Sequence, residues 1–172
     1  MIIDCLSKAI FLFVIYNIVA LMLFGVPKSL SMTYYLFKEK NDVLKILFPA
    51  MITMMCMCLM PCWIQISKGS NFQFLSFLSS GALMLVGAAP AFKSSDLENN
   101  VHQYSAYCCA AFAILWIILV THYWYVILIV SAIIGGAGYL TKSWKTGYIY
   151  WLEMIAFLST FISILLYYLN TL

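Results

Sequence analysis

Long stretches without a charged residue alternate along the chain with short clusters of Lys, Asp, Asn, Gly and Pro. A helix needs roughly 20 mostly apolar residues to cross the hydrocarbon core of a bilayer. Runs of that kind lie at about 9–25, 46–66, 72–92, 103–121, 123–141 and 148–169. They are continuous, whereas strands of a membrane barrel alternate apolar and polar positions over segments of about ten residues. The pattern therefore predicts an all-α, polytopic transmembrane helix bundle of six spans, with 1–172 as a single integral membrane domain. A cleaved signal peptide is not expected, because the apolar run after Lys8 continues to Phe24 with no small-residue cleavage pattern behind it.

The one long connection, Gly25 to Lys45, reads GVPKSLSMTYYLFKEKNDVLK. Pro27 stops the first helix, and Tyr34, Tyr35 and Phe37 suit a headgroup zone, so this segment is expected on the membrane surface. Lys28, Lys38, Lys40, Lys45, Lys93, Lys142 and Lys145 fall in the first, third and fifth connections, against Lys8 and Lys68 on the other side. Under the positive-inside rule the basic side is cytoplasmic and both termini lie together on the opposite side.

Composition agrees with the pattern. Of 172 residues, 65% are hydrophobic and 9% charged, against about a quarter charged in a soluble chain, so a water-soluble domain is excluded. Cys5, Cys56, Cys58, Cys62, Cys108 and Cys109 lie mostly inside apolar runs and read as reduced packing residues. All nine basic residues are Lys, and Ile is abundant, which points to an AT-rich coding sequence of bacterial or phage type and to the bacterial inner membrane.

Polar groups inside a span are costly and are candidates for function with a partner to be named. Glu153, in YWLEMIAF of the last helix, is the most informative; it either handles a ligand or a proton, or snorkels or bonds within the bundle. His102 opens the fourth helix after Asp96 and Glu98, on the same membrane face, and serves either as partner to a carboxylate or as an interfacial anchor. Lys28 can join them there. His122 falls on the opposite face and reads as an interface residue.

Two histidines on opposite faces disfavour a catalytic zinc site, which needs three converging ligands. Neither a phosphate-binding Gly-rich loop nor a GxSxG elbow is present, and Ser79 and Ser80 read as small contact residues. Met51, Met55, Cys58 and Cys62 share one helix face. Soft sulfur ligands select Cu(I), yet Met and Cys are also ordinary packing residues. Gly81, Gly87, Gly135, Gly136 and Gly138 are expected at close helix contacts. Trp63, Trp116, Trp124, Trp144 and Trp151 are expected in aromatic belts rather than on a nucleic-acid platform.

The order of GVPKSLSMTYY, a third helix ending GAAPAFK, then ENNVHQYSAYCCAAF and a last helix opening WLEMIAF, resembles the Frag/DRAM/Sfk group of six-span proteins and related small bacterial membrane proteins. The matching positions are His102, with Ser105 and Ala106 after it, and Glu153; the Trp that often follows the Glu is Met154 here. The resemblance implies a non-enzymatic membrane protein associated with lipid handling, membrane stress or sorting of lipid-anchored proteins. It also implies a first connection outside the cytosol, against the lysine count.

The leading expectation is a lipid- or partner-binding accessory protein with a polar pocket of Glu153, His102 and Lys28 at the basic face. It has no cofactor and no nucleic-acid partner, and works with membrane lipids, a protein partner or a second copy of the chain. The alternative is a small-solute or Cu(I) transporter using Met51, Met55, Cys58 and Cys62. An intramembrane enzyme using Glu153 and His102 ranks last for lack of a third group.

Overall fold

A computed structural model of the chain describes residues 2–171, and every regular element among them is helical. The order is α1 (Ile2–Phe24), α2 (Thr33–Lys40), a 3-10 turn (Asp42–Ile46), α3 (Leu47–Ser67), α4 (Phe74–Ala88), α5 (Asp96–Trp116), a π turn (Ile117–Thr121), α6 (Trp124–Leu140) and α7 (Trp144–Asn170). Four stretches, Ile2–Phe24, Asp42–Ser67, Asp96–Thr121 and Trp144–Asn170, are long and apolar enough to cross a membrane. This is an integral membrane protein. The helices α4, of 15 residues, and α6, of 17, extend only about 22 and 26 Å, less than the roughly 30 Å of hydrocarbon.

The sequence-based bounds differ from the observed ones for local reasons. Helix α1 starts well before residue 9, and Asp4 and Lys8 form an i,i+4 ion pair at 3.0 Å on its exposed first turns. Ser95 caps α5 by accepting the Glu98 N–H at 3.2 Å, with Asp96 and Glu98 in the first turn where the helix dipole favours them. At its far end α5 runs into the π turn, where the Thr121 hydroxyl donates to the Ile117 carbonyl at 2.7 Å and His122 takes a left-handed φ of 61°. Gly25, at φ 68°, ends α1 with its N–H on the Leu21 carbonyl.

Helix α3 is central. It packs on α1 and α4, α4 packs on α5, and α6 packs on α7. Phe13 of α1 meets Phe157 and Phe161 of α7 at ring distances of 4.9 and 5.4 Å. Trp63 and Trp116 lie buried edge to face at 6.4 Å, and the Trp116 indole donates to the Ser67 hydroxyl at 2.6 Å. These two therefore belong to the core rather than to a belt. Among the expected close-contact glycines, Gly87 is packed on Ile52 and Gly138 on Trp144 and Trp151, whereas Gly81, Gly135 and Gly136 face open space.

The segment between α1 and α3 does not lie flat on a surface. Leu30, Tyr34 and Phe37 are buried in the bundle, and Phe37 stacks edge to face on Phe24 at 5.1 Å. Lys28, the end of α2 from Lys38 to Lys40, and Asn41 to Val43 are turned outward. Tyr35 is half-buried; its hydroxyl accepts the Lys93 N–H at 2.6 Å, and Lys93 sits over its ring. Burial holds this phenol above its ordinary pKa, partly countered by that N–H.

Candidate functional site: a carboxylate in the wall of an apolar cavity

The site begins with a break in α7. Gly147 leaves helical geometry at φ −127° and ψ 31°, so the N–H of Tyr150 is released from the α7 ladder. It donates instead to the Lys28 carbonyl at 3.2 Å. The backbone at Gly147 approaches the loop so closely that a Cβ there would stand 2.9 Å from the Pro27 carbonyl oxygen and 3.0 Å from Val26. Only glycine fits. The segment from Val26 to Met32 is thereby docked onto α7.

Glu153 makes the second attachment. Its Oε2 accepts the N–H of buried Leu30 at 2.6 Å, a charge-assisted length. The Leu30 carbonyl accepts from the Thr33 hydroxyl, which also bonds Tyr16 of α1. The Tyr150 hydroxyl donates to Asn17 Oδ1 at 3.1 Å, and Asn17 donates onward to the Phe13 carbonyl at 2.8 Å. Two polar residues of α1, Tyr16 and Asn17, thus tie it to the loop and to α7. Buried hydrogen bonds linked in this way fix one arrangement of their elements.

Glu153 is half-buried, and among the described residues no hydrogen bond or ion pair reaches its second oxygen. The side chain lines a cavity of about 500 Å³. Its walls are Phe48, Ile52, Leu59 and Trp63 of α3, Leu83 and Val86 of α4, Ala106, Cys109 and Ala110 of α5, Ile127 and Ser131 of α6, and α7 from Tyr148 to Thr160. Glu153 is the only charged residue among them. The volume falls in the roughly 300–1,000 Å³ range of small-molecule sites. The buried hydroxyl of Ser159, in the same wall, has no partner.

The other two expected pocket members stand elsewhere. His102 is 4% exposed, and its Nδ1 lies 2.9 Å from the Ala89 carbonyl. A carbonyl only accepts, so Nδ1 carries the proton. The ring stacks on Phe92 at 4.7 Å, closing the α4 to α5 connection, and no hydrogen bond joins it to Glu153. Lys28 contributes its backbone carbonyl, while its side chain is exposed. The sulfur stripe lies on another face of α3. Met51, Met55 and Cys62 are buried, Cys58 is half-buried, and the Cys62 thiol is 3.5 Å from the Ile2 and Cys58 carbonyls. None of the four lines the cavity. Among the described residues no three His, Cys, Asp or Glu side chains converge to hold a metal ion.

Sequence reasoning missed Leu30, Asn17 and Tyr150. Asn17 left a usable signal, a lone amide inside an apolar run. The Leu30 donor is a backbone N–H and left none. Comparison of the chain with protein-family models, curated proteins and solved structures finds no match in any of the three.

Proposed function

We propose that this protein crosses the membrane six times and acts without catalysis, as an accessory module that binds a membrane lipid in the cavity lined by Glu153. The observation that carries this reading is the carboxylate oxygen left without a protein donor in the wall of an apolar cavity of about 500 Å³. An unpaired carboxylate at membrane depth is costly, and a hydrogen-bonding lipid head offsets that cost while the hydrocarbon chain fills the walls.

Six crossings are supported by packing: the short helix α4 packs between α3 and α5, with short connections to both, and α6 packs on α7. Seven of the nine lysines then gather at the membrane face where the Glu153 loop lies, which the positive-inside rule makes cytoplasmic with both termini opposite. The composition and the resemblance to the Frag/DRAM/Sfk group support residence in a bacterial inner membrane and a lipid-handling role.

The test is native mass spectrometry of protein extracted in mild detergent, beside an Ala110→Phe variant that narrows the cavity. Wild type is expected to retain a lipid at a defined stoichiometry, and the variant to lose it. Equal retention by both, or a bare wild-type protein, would overturn the reading.

A further inference from the structure

Tyr107 of α5 and Tyr148 and Leu152 of α7 line the cavity, yet they are 67%, 52% and 52% exposed. The cavity therefore reaches the outer wall of the bundle between α5 and the α6–α7 hairpin. This gap has a structural cause. Helix α5 is packed mainly on α4, and α6 on α7, so the two groups meet over a small area. The residues facing the gap include Ala106, Ala110 and Ala156, which are too short to fill it. All of these positions lie within the two long apolar stretches Asp96–Thr121 and Trp144–Asn170. In a membrane the mouth opens onto acyl chains, not onto water.

Glu153 sets the chemistry of the head. Its Oε2 is held by the Leu30 N–H, its other oxygen has no protein donor, and no cation stands within ion-pair distance among the described residues. The complement is a group with positive charge and an N–H to donate. An anionic head would meet the carboxylate unfavourably, and a quaternary ammonium brings charge without a donor. Lys28 and Lys145 are exposed at the same end of α7 and its docked loop, where a phosphate carried by the same head finds favourable charge.

We infer that the ligand is a lipid with a protonated primary amine in its head, and that it enters sideways from the bilayer through the gap between α5 and the α6–α7 hairpin. This rests on the lipid-binding reading above and adds the route and the head. The amine donates to the free oxygen of Glu153, and one acyl chain runs along Trp63 and Leu59 of α3.

Vesicles of phosphatidylcholine doped with mid-chain brominated phosphatidylethanolamine, phosphatidylcholine or phosphatidylglycerol test both parts. Bromine quenches indoles it touches, and the Trp63 signal is isolated as the difference between wild type and Trp63→Phe. Brominated phosphatidylethanolamine is expected to quench Trp63 at about one tenth the mole fraction needed with the other two lipids, the factor one charge-assisted hydrogen bond supplies. Glu153→Gln, which keeps an acceptor for Leu30, is expected to abolish that preference. Ala110→Phe is expected to protect Trp63 while exposed Trp124 stays quenched.

Equal quenching by all three lipids would overturn the amine head and leave lipid binding intact. An unquenched Trp63 in a protein that retains lipid in the mass spectrometer would overturn lateral entry alone. Neither quenching nor retained lipid would remove the underlying reading as well.

Discussion

Replacing Glu153 by Ala and by Gln separates its two tasks. In the wild type Oε2 takes the Leu30 N–H at 2.6 Å, and Leu30 is buried. The Ala variant leaves that N–H without an acceptor in a site closed to water, at a cost of about 1–3 kcal/mol. Hydrogen bonds inside membranes average somewhat less, on the order of 0.6–2 kcal/mol, so the lower half of the range is expected. Gln retains a carbonyl oxygen at the same place, and its stability loss is expected below about 1 kcal/mol. Hydrogen exchange at Leu30 and reversible unfolding in mixed micelles measure both quantities. Glu153→Ala should accelerate exchange at Leu30 and lower stability, while Glu153→Gln should leave both near wild type and still lose the preference for an amine-headed lipid. Identical behaviour of the two variants in exchange and stability would refute the assignment of the Leu30 bond as the loop's anchor.

Gly147→Ala places a methyl group 2.9 Å from the Pro27 carbonyl oxygen, and is expected to cost about 1–3 kcal/mol and to loosen the Val26–Met32 loop, as read by limited proteolysis. His102→Ala removes the bond to Ala89 and the stack on Phe92; it should destabilise by about 1–3 kcal/mol with lipid retention unchanged, and selective loss of lipid without loss of stability would show that His102 belongs to the pocket after all. Met55→Ala empties a fully buried position of α3 and should cost about 2–5 kcal/mol, whereas Met55→Leu, which nearly conserves volume, should leave both stability and cellular copper content close to wild type; a fall in copper content would favour the sulfur stripe as a metal path.

Some of this was legible in the chain because lipid imposes simple rules. The run at 46–66 corresponds closely to Leu47–Ser67, since its flanking charges mark the end of apolar surface. The expected start of the last helix at residue 148 falls at the true break at Gly147, although a further helical turn continues α7 back to Trp144. Glu153 stood out as the one acid deep in an apolar run. Its partner did not, because a backbone N–H has no sequence signature. The cavity was equally hidden: it is made by three alanines and by the spacing of helix pairs, and helix spacing depends on tertiary packing.

Two misreadings share one cause. Trp63 and Trp116 sit near helix ends, as belt residues do, yet both point inward and are buried. With 65% of the chain hydrophobic, the inner and outer faces of a span carry similar residues, so periodicity does not reveal which way an aromatic points. The same holds for Gly135 and Gly136, which look like contact residues and face open space. His102 shows a different limit. It lies toward the expected membrane face, but a carbonyl within its own helical hairpin claims it before any carboxylate does.

The most direct test of a lipid-binding cavity is an experimental structure of the wild-type protein in a lipid bilayer or mesophase. The account predicts continuous elongated density between α5 and the α6–α7 hairpin, ending at hydrogen-bond distance, about 2.7–3.2 Å, from the free oxygen of Glu153. A cavity collapsed by inward rotation of Tyr107 and Tyr148, or a protein donor occupying that oxygen, would contradict it.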